Sequence, residues 1–320
     1  MTHSLFRLLL LSLISVALWG QTPPEVAAEF AKSPAPPPSN QVVGIDIDRY
    51  IGSPAQHPVR TSHGVILLRS ILTSGDPYGP GAPGAVLEYR KDLAYGTVLG
   101  HNQTPLVEIP EQLFLYIESG KGRVENDSEY WGLREGVAVL IPPRVKHRLV
   151  NTSDEQLQMI VLLWNPDPAA TPGKAILVRD INTVPFHACG DQPCHWSFWG
   201  KNIFNSTHGL HPNEGFHLVH VPPMSIGEPH AHVRKWEEVW VKLGPDDSYL
   251  TLGSEIREMP VHTAFLAPPN YKAVHAVINL RKDRPQKWLF ISHFIVKQSG
   301  YSSGPLVSPK SLRDLNRSTE

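Results

Sequence analysis

Apolar residues in this chain come in short runs, separated by clusters of Gly, Pro, Asn and Asp. No segment keeps apolar residues at the three-and-four spacing of a long amphipathic helix, so the pattern predicts strands joined by turns. Residues 136–141, Gly-Val-Ala-Val-Leu-Ile, are one such run, halted by Pro142-Pro143. Residues 226–244 read as two strands and a turn. In the first strand His230 and His232 are two apart, and side chains two apart on a strand share a face. Val233-Arg-Lys-Trp236 has the length of a hairpin connection, and Glu237 begins the next strand.

Composition supports an all-β protein. Proline is abundant at 31 residues and charged residues make up only 18%, which suits a turn-rich β chain. A length of 320 residues allows two domains of ordinary size, each with its own core. Lys plus Arg number 29 against 30 acidic residues. A near-zero net charge without a basic tract gives no electrostatic basis for nucleic-acid or anionic-membrane binding. A homo-oligomer is compatible with this composition.

Residues 1–20 carry one Arg followed by an apolar stretch ending near Gly20. That stretch is short for a membrane span and is followed by polar, Pro-rich sequence. It reads as a cleavable secretory signal, giving a secreted or periplasmic protein with no stable membrane insertion after cleavage. Residues 21–41 form a Pro-rich linker, and Asn165-Pro-Asp-Pro-Ala-Ala-Thr-Pro-Gly173 marks a boundary between domains at 42–164 and 174–298. Residues 299–320 are a polar tail. The two cysteines, Cys189 and Cys194, flank a Gly- and Pro-containing loop. Export and short spacing favour a disulfide over a zinc site shared with His187 and His195.

His230, His232, Glu237 and the later His275 supply three imidazoles and a carboxylate, a first shell suited to one divalent transition metal. Their order resembles the cupin superfamily. Its first motif is Gly, five residues, His-x-His, three or four residues, Glu, six residues, Gly. The spacing runs here from His230 through Glu237 to Gly244, with Met224 at the leading Gly position. The second motif ends in His, three residues, Asn, matched by His275 and Asn279 after an approach two residues longer than the family's. Residues 136–151 match that second motif again, with Arg144 in place of Gly, and Leu140-Ile-Pro-Pro aligns with Leu266-Ala-Pro-Pro. The chain is therefore similar to bicupins, tandem double-stranded β-helix (jelly-roll) barrels. The first copy lacks His-x-His and offers at most a weak second site from His101, Gln103, Glu111 or the neighbouring Gln112, and His147.

The resemblance implies a barrel holding manganese, iron, nickel, copper, cobalt or zinc, with positions open to a small-molecule substrate. The expectation is a metal-dependent, dioxygenase-like oxidoreductase acting on a small oxygen-rich compound, with Glu237, His262 and Glu228 as candidates for proton transfer. A lyase or isomerase on a sugar-derived acid, or a non-catalytic small-ligand-binding cupin, are the alternatives.

Overall fold

The computed structural model describes residues 45–189 and 197–295. The signal segment, the Pro-rich linker, Cys194 with its proposed disulfide, and the tail lie outside the described residues. Strands separated by turns account for nearly all regular structure, as the short apolar runs predict, and every helical turn among the described residues is a 3-10 turn of three or four residues.

Two barrels follow one another, each built from a large antiparallel-dominated sheet and a four-stranded one. In the N-terminal barrel the large sheet has at its centre Gln112–Ser119 between Val137–Ile141 and Leu157–Trp164, continuing through Asp92–Val98 to Ile66–Ser74. Its small sheet is centred on Arg148–Asn151 and Lys121–Glu125. The C-terminal barrel repeats the plan. Trp236–Leu243 lies between Ala264–Leu266 and Gln286–Phe294, followed by Glu214–Val221 and Trp199–Asn205, while His275–Asn279 and Ser248–Leu252 centre the small sheet.

The barrels exchange edge strands. Ile51–Gly52, near the start of the first domain, pairs with Ala264–Leu266 of the second, and Leu177–Asp180 pairs back onto Val137–Ile141 of the first. The sheets therefore do not follow a simple division at 164 and 174. Each crossing strand covers an edge whose backbone groups would otherwise be unpaired. Gly52 is required at its crossing, because a Cβ there would lie 1.8 Å from the Ile71 carbonyl oxygen.

Alternation along the central strands divides the core. Leu113, Leu115 and Ile117 point into the N-terminal barrel, whereas Phe114 and Tyr116 belong to a cluster shared with the other barrel. Phe114 packs 4.8 Å from Phe216, and Trp164 meets the same ring edge-on at 5.6 Å. Burying rings of this size contributes about 1.5–3 kcal/mol each, so the inter-barrel face is itself a hydrophobic core.

Candidate metal centre

Backbone pairing brings the two sequence motifs together. His230 and His275 exchange hydrogen bonds in an isolated antiparallel bridge, the His230 N–H donating at 3.2 Å and the His275 N–H at 2.9 Å. The hairpin places His232 beside them, and the adjacent strand supplies Glu238. One ligand atom from each of His230, His232, Glu238 and His275 lies within 4.8 Å of the others. His232 Nε2 is 2.9 Å from Glu238 Oε2, and His275 Nε2 is 3.0 Å from Glu238 Oε1. Ligands about 2.1 Å from a common ion and at right angles to one another are about 3.0 Å apart, so these separations fit a shared metal.

Neighbouring groups orient the ligands. The His230 Nδ1 donates to the Glu228 carbonyl at 2.9 Å, which leaves Nε2 as the ligating nitrogen. Trp240 donates its indole N–H to Glu238 Oε1 at 2.7 Å. Trp236 stacks on His232 with ring centroids 4.8 Å apart. Burial works to raise the Glu238 carboxyl, but His232 and His275 outweigh it and hold the group well below the ordinary carboxylate range. Burial pushes His275 down, against the opposing pull of Glu238. An anionic carboxylate beside a neutral imidazole is the protonation pattern that metal ligation needs.

The carboxylate in this cluster is Glu238, not Glu237. Residues 237 and 238 are adjacent on a strand and so face opposite sides of the sheet. Glu237 points to the other barrel, where it accepts backbone hydrogen bonds from Glu88 at 2.6 Å and Tyr89 at 3.0 Å and pairs with the buried Arg90 guanidinium. Arg90 also pairs with Glu214 at 2.7 Å. Burial pushes Glu214 up, with Arg90 opposing. Glu237 therefore serves a buried cross-barrel ion cluster.

Of the proposed proton-transfer residues, Glu237 and His262 lie away from the metal cluster. His262 pairs with Glu118 at 2.7 Å and stacks on Tyr95 at 4.0 Å, at the seam with the N-terminal barrel. Glu228 contributes its backbone carbonyl to His230.

The first barrel shows what became of the repeated site. Val107 and His147 form the same reciprocal bridge as His230 and His275. The Arg144 N–H donates to Ile109 as the Tyr271 N–H donates to His232. Leu140 pairs with Phe114 as Leu266 pairs with Val239, which sets Leu113 opposite Glu238. Val107, Ile109 and Leu113 thus stand where His230, His232 and Glu238 stand, leaving His147 as the one retained ligand type. The weak second site does not assemble. His101 is exposed and pairs with Asp154 at 2.6 Å, and Glu111 pairs with Lys91 at 2.6 Å. Gln112 is buried at the position equivalent to Glu237. The signal that sequence reasoning missed is Val107-Glu-Ile109, a His-x-His position in apolar form.

These two barrels, with bridged motif strands and, among the described residues, one four-ligand cluster, define a two-barrel β protein with a metal-type centre. Comparison with known proteins carries this further. The Cupin domain family matches residues 108–163, within the N-terminal barrel. A putative glyoxylate-induced protein from Pseudomonas aeruginosa is similar over 78% of this chain and 90% of its own, at 11% identity and a TM-score of 0.58. Oxalate decarboxylase from Lactobacillus farciminis covers 77% and 86%, at 13% identity and 0.54. Vicilin from Corylus avellana (hazelnut) covers 76% and 85%, at 10% identity and 0.56. At such identities the likeness is one of fold. No curated protein matches the sequence. Residues 108–163 thus match a Cupin domain, and the chain as a whole has the two-barrel fold of these proteins.

Proposed function

We propose that this protein is an exported, metal-dependent enzyme of dioxygenase type that acts on a small organic substrate bearing two neighbouring oxygens. The observation that carries the reading is the buried set of His230, His232, Glu238 and His275 within ligand distance of one another. Three imidazoles and a carboxylate suit a divalent first-row transition metal and leave coordination positions for other oxygen donors. Such an ion supplies Lewis acidity and a place where a chelating substrate and dioxygen come together.

The protein's own contribution is orientation and exclusion of water. Glu228 and Trp240 hold His230 and Glu238 in register. The groups packed around the cluster are aromatic, with Trp236 on His232 and Phe265 5.9 Å from His275. That surround favours a substrate with a flat or apolar body over a small dicarboxylate, whose second charge would need a cationic partner. A lyase or isomerase needs a base beside the cluster, and His262, one candidate for it, is engaged with Glu118 at the barrel seam.

Oxygen uptake and product formation by the metal-loaded protein, measured against diols, diketones, phenols and uronic acids with and without dioxygen, test the proposal. Turnover that stops without dioxygen supports it. Turnover that continues anaerobically supports the lyase or isomerase alternative. Tight binding without turnover in either atmosphere makes the protein a binding cupin.

A further inference from the structure

A second recess lies outside both barrel interiors, on the seam that His262 helps to build. Its volume is about 510 Å³, within the range of small-molecule sites. The floor is the outer face of two paired strands, where Leu67 pairs with Thr97 and Arg69 with Tyr95. One wall is the Ser53–Val59 segment, and the other is Val261 and His262 from the C-terminal barrel. His262 is fixed there by three features. It has a left-handed backbone at φ 68°, an ion pair with Glu118 of the first barrel, and a stacked ring contact with Tyr95. Both barrels thus contribute to the recess.

The chemistry of the lining is lopsided. Arg69 is the one permanently charged side chain on it, and among the described residues this guanidinium forms no ion pair and no hydrogen bond. Around it lie Val59 and Leu99, exposed at 48% and 43%, together with Leu67 and Val261. A guanidinium without a counter-charge recognises a carboxylate through paired N–H donors. Exposed aliphatic groups beside it gain from covering an apolar body. We infer that this seam recess is a binding site for a small organic carboxylate with an apolar body, its acid group on Arg69 and its body against Val59 and Leu99. The site is separate from the metal cluster and does not rest on the oxygenase reading.

Calorimetric titration of the full-length protein with benzoate, phenylacetate and octanoate tests this, with phenylacetamide as the uncharged control. At least one of the acids should bind with one-to-one stoichiometry, and phenylacetamide at least tenfold more weakly than phenylacetate if that is the acid bound. Arg69→Gln should weaken the acid at least tenfold, and Leu99→Asp should do the same from the apolar side. Because Arg69 has no ion-pair or hydrogen-bond partner among the described residues, its variant should melt at the wild-type temperature. His275→Ala should leave acid binding unchanged. Failure of all three acids to bind overturns the inference, as does undiminished binding by Arg69→Gln. Loss of binding in His275→Ala would place the acid at the metal cluster instead, and so also overturns it.

Discussion

Replacing Glu237 and Glu238 one at a time by Gln separates the two adjacent carboxylates by consequence. In Glu237→Gln the side chain keeps its shape but has a single acceptor oxygen. If that oxygen stays on the Glu88 and Tyr89 N–H groups, which now lie 2.6 and 3.0 Å from it, the amide NH2 faces the Arg90 guanidinium, donor against donor. The loss is one charge-assisted hydrogen bond in a fully buried place, about 1.5–3 kcal/mol. Removing a partner from a buried pair costs about 3–5 kcal/mol. Here Glu214 still neutralises Arg90 at 2.7 Å, so the cost stays below that span, at about 2–3 kcal/mol. For a chain of this size each kcal/mol lowers the melting temperature by about 2–4 °C, giving a fall of roughly 5–10 °C with metal content unchanged. Glu238→Gln removes a ligand and should lower metal affinity at least tenfold. Thermal melts and elemental analysis of the two variants side by side are the assay. Loss of metal from Glu237→Gln with an unchanged melting temperature would refute the assignment of faces.

Other consequences follow from the same contacts. Trp240→Phe deletes the indole donor that holds Glu238 Oε1 at 2.7 Å, and loss of such an outer contact lowers metal affinity by about 10- to 100-fold. Competition against a chelator of known affinity measures it. Burial, aided by Lys287 and Lys201, lowers His220 to about 4, and burial with His147 lowers His63 to about 4. An unfolded histidine titrates at about 6.5, so between these values the unfolded chain binds more protons and stability rises with pH. Urea titrations should therefore show full stability above about pH 7 and a decline as pH falls from about 6.5 to about 4, partly flattened in His220→Phe.

The fold was largely legible because it is written in local signals. Short apolar runs ended by Pro-Pro and Gly, and a motif repeated at Leu140 and Leu266, predict an all-β two-barrel chain. Three of the four cluster residues were also legible, since His230 and His232 share a face by strand alternation and His275 closes the second motif. The fourth was not, and the reason is parity. Glu237 and Glu238 are consecutive, and the strand that carries them, from Trp236 to Leu243, is buried on both faces. A strand alternating apolar with polar would show which carboxylate points inward. Here Val239 and Val241 face one barrel and Trp240 the other, so periodicity is silent and spacing selected the wrong residue. The edge-strand exchange was hidden for a related reason, because pairing between residues distant in the chain, such as Ile51 with Phe265 or Leu140 with Leu177, leaves no mark in local sequence. Ile51–Gly52 and Leu177–Asp180 look like the first strands of their own domains. In the N-terminal barrel, His101 and Glu111 drew attention by residue type, while the true equivalents, Val107, Ile109 and Leu113, carry no chemistry to notice.

The central claim is that the C-terminal barrel holds one transition metal through His230, His232, Glu238 and His275, and that the N-terminal barrel holds none. Its most direct measurement is elemental analysis of the full-length protein, His275→Ala and His147→Ala after each has been offered manganese, iron, nickel, copper, cobalt and zinc and then desalted. The expected result is one metal ion per chain in the wild type and in His147→Ala, and none in His275→Ala. Metal retained by His275→Ala but lost from His147→Ala, or a wild type that retains none of the six ions, would contradict the account.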